Sequence, residues 1–146
     1  MAKKSVAKKR VKHNPKWILL VARVLIGLLF IISGWEKLTN ISETVKFMAS
    51  TGMPLATSWM AGLAGAVELL GGIALLVGLR ARLAGGFLAG FMAVVTYFIH
   101  LAPAWKMAAG MAKSTEMLHV WLNLALVGGL LLLSVAGAGR ISLDKK

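Results

Sequence analysis

Apolar residues gather in four runs, about Trp17–Leu38, Trp59–Leu79, Leu83–Ala102 and Met117–Ala136. Tyrosine aside, the only ionisable side chains inside them are Arg23, Glu36, Lys37, Glu68, His100 and His119. Each run matches the ~20 residues a helix needs to cross a hydrocarbon core. The pattern predicts an all-α membrane protein built as a four-transmembrane-helix bundle. Between runs one and two, Ser42–Met48 reads as a short amphipathic helix lying at the interface, and Gly52-Met53-Pro54 marks a turn. Arg80-Ala81-Arg82 is short enough to join runs two and three as a tight hairpin. The connection Pro103–Glu116 is expected to hold another short helix, anchored by Trp105. Trp17 at one boundary and Trp35, Trp59, Trp105 and Trp121 at the other form aromatic belts.

Small residues predict how the helices face one another, because they let backbones approach where lipid offers no hydrophobic drive. Run one places Arg23, Gly27, Phe30 and Gly34 on one stripe, and run two Gly62, Gly65, Glu68 and Gly72. Run three places Gly86, Ala89, Gly90, Ala93, Tyr97 and His100 together, which predicts that this face packs inward.

Composition supports the membrane reading: of 146 residues, 58% are hydrophobic and 15% charged, whereas soluble domains carry about 25% charged residues. Run one is too long for a secretory signal, and Gly34-Trp35-Glu36-Lys37 offers no small-residue cleavage site. With no cysteine, disulfides, thiolate metal sites and CxxC redox pairs are excluded. Redox chemistry would need a borrowed cofactor or a partner subunit.

The net charge of +12 is unevenly placed. Seven basic residues precede Trp17, and Arg80, Arg82, Arg140, Lys145 and Lys146 fall on the same side of four alternating helices. Lys37, Lys46, Lys106 and Lys113 fall on the other. This bias predicts that both termini are cytoplasmic. Residues 1–16 form a basic tail suited to anionic lipid headgroups, and residues 17–146 form the membrane domain. No aromatic residue interrupts the basic tail, so nucleic acid is not an expected partner.

Two polar groups carry the candidate chemistry. Glu68 lies near the middle of its helix, where an unpaired carboxylate costs ~2.5–3.5 kcal/mol. Arg23 is its expected partner, either as an ion pair ordering helices one and two or beside a coupling carboxylate. At the outer ends, Glu36, His100, His119 and Asn123 form a candidate ligand site, with His119 and Asn123 on one helix face. Two imidazoles and a carboxylate suit quinone-carbonyl hydrogen bonding or proton relay. Met107, Met111 and Met117 flank this region, but their spacing with the histidines matches no closed ligand set, so no metal is expected.

The blocks "ARVLIGLLFIISGWEKL", "TVKFMASTGMP", "ELLGGIALLVGLRARLAG" and "GAGRISLD" resemble the DoxX family of small four-span bacterial membrane proteins, over roughly Val21 to Asp144. The resemblance implies a four-helix membrane bundle in a bacterial inner membrane, with Arg23, Glu36, Lys37, Glu68, Arg82, His100, Ser142 and Asp144 at recurrent polar positions. Some relatives are the membrane subunit of a thiosulfate:quinone oxidoreductase, and others assemble with superoxide dismutase and a sulfurtransferase. Three functions stay open. The first is a quinone-interacting or anchoring subunit of a redox or oxidative-stress complex, with redox-enzyme subunits as partners and no autonomous catalytic motif. The second is a small transporter or channel using Glu68, which would require a homo-oligomer. The third is a scaffold that recruits soluble enzymes to the bilayer.

Overall fold

A computed structural model describes residues 16–144, except for the side chain of residue 16, so the basic tail and its expected lipid contacts lie outside the described residues. The elements are α1 (Lys16–Thr39), α2 (Ile41–Ser50), α3 (Ser58–Val77), α4 (Ala81–Thr96), a π-helical turn (Tyr97–Leu101), α5 (Ala102–Lys106) and α6 (Met111–Ala136). Four apolar stretches are long enough to span a bilayer: Trp17–Thr39, Ser58–Val77, Ala81–Lys106 and Met111–Ala136. The protein is an all-α, four-span membrane protein. Leu25, Leu70, Phe87 and Leu132 point outward from their helices, as lipid contact requires, and all five tryptophans are exposed.

The separate helix expected between runs three and four is instead divided. Its first part continues the third span through α5, and its second part starts α6 at Met111. Hydropathy marks only the dry part of a helix, whereas the good helix formers Met111, Ala112, Lys113 and Glu116 extend it past the membrane boundary. The α2 helix forms where amphipathicity places it, burying Met48 against Ala61 and Ile99 while Phe47 stays exposed.

The helices associate as two antiparallel pairs, α1 with α3 and α4 with α6, joined by smaller seams between α3 and α4 and between α1 and α6. In the first pair the backbones touch at Gly27–Gly72 and Gly34–Gly65. A Cβ on Gly34 would lie 2.5 Å from Leu69 N, and one on Gly72 would lie 2.8 Å from Gly27 O. The inward stripes predicted for runs one and two are present, with Gly62 standing open to one side.

The predicted face of run three is corrected. Gly90, Ala93 and Tyr97 are exposed, and the packed face is Ala81, Gly85, Leu88, Ala89, Met92 and Thr96. Leu88 fills the notch at Gly71, and Gly85 lies against Leu130 O of α6. Shape-matched large side chains, together with one glycine, determine this seam.

At the terminal end of the bundle, where α1 begins and α6 ends, the chain folds back as a clip. Gly137 and Gly139, at φ +80 and +76, turn it across the α3–α4 connection. Leu143 N donates to Val77 O (3.1 Å) and Asp144 N to Gly78 O (3.0 Å). The Asp144 carboxylate accepts from Arg80 N (2.6 Å) and Ala81 N (3.1 Å), satisfying donors at the start of α4. Gly78, at φ +71, closes α3 and leaves room for the Arg23 guanidinium, which donates to Ile141 O.

Candidate functional site

The opposite, loop end brings together His100 of the third span with Glu116 and His119 of the fourth. Pro103 lacks the N–H that a regular helix would direct at Ile99 O, and its ring crowds that carbonyl. The wider π turn at Tyr97–Leu101 takes up this mismatch and rotates His100 relative to the packed face of α4. His100 Nδ1 and Glu116 Oε2 of α6 are 2.8 Å apart. A carboxylate only accepts, so with the Nδ1–H tautomer His100 donates to Glu116, and Nε2 lies on the other side of the ring. His119 lies one turn beyond Glu116, its ring centroid 5.1 Å from that of His100 and tilted by 39°. The His100 and Glu116 side chains are half-buried and His119 is exposed. Donor atoms of His100, Glu116 and His119 all lie within 4.8 Å of one another.

The two predicted histidines therefore meet, but their carboxylate is Glu116, not Glu36. Glu36 is exposed on α1, which packs along α3 instead of on the π turn. Asn123 is half-buried one turn further along α6 and makes no side-chain hydrogen bond among the described residues. The sequence did carry a signal for Glu116. Glu116-x-x-His119 puts a carboxylate and an imidazole on one helical face, but the apolar run begins at Met117 and assigns Glu116 to a loop.

The pairing expected for Glu68 is also corrected. Glu68 is 3% exposed, and its Oε2 lies 2.8 Å from Lys37 Nζ, which also donates to Ser33 Oγ (2.6 Å). The glycine contacts set Glu68 level with about residue 31 of α1, so Arg23 lies roughly 12 Å further along the axis. Side chains lean toward the N-terminus of their own helix. In an antiparallel pair Lys37 and Glu68 lean together, while Arg23 leans away toward the clip.

The glycine-paired α1 and α3 and the helix from α4 into the π turn fall within a match to the DoxX family model over residues 18–101. The chain belongs to the DoxX family. It is 34% identical over 126 residues to the inner membrane protein YqjF of Escherichia coli (strain K12), covering 86% of this chain and 88% of that protein. It is 35% identical over 135 residues to the inner membrane protein YphA of the same organism, covering 88% and 89%. CatD of Bacillus subtilis (strain 168), which carries the word oxidoreductase in its name, is 36% identical over 66 residues, covering 45% of this chain and 47% of its own. No solved structure matches the chain. The DoxX match spans α1 through the π turn and stops at Leu101, so it contains His100 but neither Glu116 nor His119.

Proposed function

We propose that this DoxX protein is an inner-membrane subunit of a redox complex, and that His100, Glu116 and His119 receive the headgroup of a quinone. The observation that carries the reading is the pair of imidazoles 5.1 Å apart, one of them braced by a carboxylate, at a membrane boundary. Quinone carbonyls only accept hydrogen bonds, and the ring N–H of the exposed His119 is a donor of suitable size and reach, while His100 Nε2 can accept from the hydroxyl of the reduced quinol. The exposed His119 is open to approach from outside the bundle, and Glu116 holds His100 in one orientation. A bound quinone would supply a two-electron carrier soluble in the bilayer. A chain without cysteine brings no thiol redox pair of its own, which supports a subunit role beside redox-enzyme partners. The names of the relatives support the inner membrane, and the one named for an oxidoreductase supports the chemistry. The basic bias of the sequence supports a cytoplasmic terminal end.

The test is quinone content after purification in mild detergent, read by extraction and the oxidised-minus-reduced ultraviolet spectrum. Quinone is expected with the wild-type protein and lost in His119→Gln and Glu116→Gln. Equal content in all three proteins would overturn the assignment. The Lys37–Glu68 pair supports a structural role for Glu68. Proteoliposome flux abolished by Glu68→Gln would instead favour the transporter reading.

A further inference from the structure

We propose that His100, Glu116 and His119 form a binding site for a divalent first-row metal ion of zinc-like preference, with a fourth position open. This goes beyond the quinone reading and does not rest on it, since the donors are the chain's own. The two histidines and the methionines form no closed ligand set by spacing, and Glu116 completes one. Two imidazoles and a carboxylate are a recurring three-ligand set for zinc sites that keep a position for water or substrate. A Glu-x-x-His pair on one helix, met by a ligand from its neighbour, is how bundles commonly place such donors.

The distances suit this use. Zinc bonds of about 2.0–2.2 Å separate tetrahedral donor atoms by roughly 3.3–3.6 Å. His100 Nδ1 and Glu116 Oε2, now 2.8 Å apart around a shared proton, need part by only about half an ångström for a cation to replace that proton. The widest donor separation, up to 4.8 Å, must shrink by over an ångström. His119 is exposed, so it is the member with room to close it.

Two further observations point the same way. Lys113, one turn before Glu116, is the helix neighbour able to neutralise it, yet its Nζ donates to Met107 O (3.3 Å). Glu116 therefore directs its charge at the histidines. His100 reaches α6 from a π turn, a local distortion that recurs where helices build sites.

The experiment uses the full chain without an affinity tag, in a His13→Ala background that removes the third histidine, stripped of metal and quinone. Zinc alone is added by equilibrium dialysis, with metal read by mass spectrometry and the ligands by X-ray absorption. The expected result is one zinc per chain, with two imidazoles and an oxygen donor in the first shell. Affinity should fall at least about tenfold in both His119→Gln and Glu116→Gln, while thermal unfolding of the metal-free variants stays at the parent value. Unchanged affinity in both variants, sulfur in the first shell, or no zinc retained by the folded parent would each overturn the proposal. Because quinone is absent throughout, loss of the quinone assignment leaves this result standing, and the reverse holds too.

Discussion

Lys37 and Glu68 meet at 2.8 Å although their helices place them on different levels, each side chain leaning along its own helix toward the other. Glu68 is the more deeply placed partner, its side chain 4% exposed against 29% for Lys37. Lys37→Met should destabilise the bundle by about 3 kcal/mol, because it strands a buried carboxylate. Lys37→Met combined with Glu68→Leu should recover most of that loss. Thermal unfolding in detergent checks both, and a double variant no better than the single one would contradict the pairing.

The glycine contacts between α1 and α3 predict a steep size dependence. Gly34→Val should cost at least about 3 kcal/mol, since the added atoms meet backbone that cannot rotate away. Gly62→Val, one turn from the seam and facing open space, should be nearly silent. Expression level and melting temperature separate the two.

The corrected face of α4 makes a paired prediction. Gly85→Leu should destabilise by about 3 kcal/mol through collision with Leu130 O and Ser134 N. Gly90→Leu, with nothing within 4 Å of its Cβ, should leave stability within about 0.5 kcal/mol. Equal losses would show that Gly90 faces a partner.

The clip rests on Asp144. Asp144→Ala should cost about 1 kcal/mol by uncapping α4 and should speed amide exchange at Arg80 and Ala81. Gly78→Ala should cost more, because it combines an unfavourable φ with displacement of the Arg23 guanidinium. Exchange rates unchanged in Asp144→Ala would contradict the cap.

Hydropathy made the spans, the amphipathic α2 and the tryptophan boundaries legible, because each is dictated by contact with lipid or water. What it did not reveal depends on contacts between helices. Depth alone pairs Arg23 with Glu68, whereas side-chain direction and the Gly27–Gly72 register send it to Ile141. Small residues located the α1–α3 seam but misplaced the α4 face, where Leu88 and Met92 pack inward and Gly90 does not. Hydropathy sets the start of the fourth run at Met117, which severs Glu116 from the helix that carries it. The π turn has only Pro103 as its sequence trace, and that gives its place without the direction in which it sends His100.

The clip also sets an order of assembly. Arg23 enters the membrane with the first helix, but its acceptor, Ile141, is synthesised 118 residues later. Until then a guanidinium that ends up 1% exposed lacks its final carbonyl and must rely on water or headgroups at the bilayer surface. The two helix pairs can therefore insert and find their glycine register first, and the bundle is fastened only when residues 141–144 emerge and fold back. A ribosome stalled before Ile141 would leave a nascent chain that is inserted but unlocked, a state that membrane quality control could recognise by the unsheltered arginine.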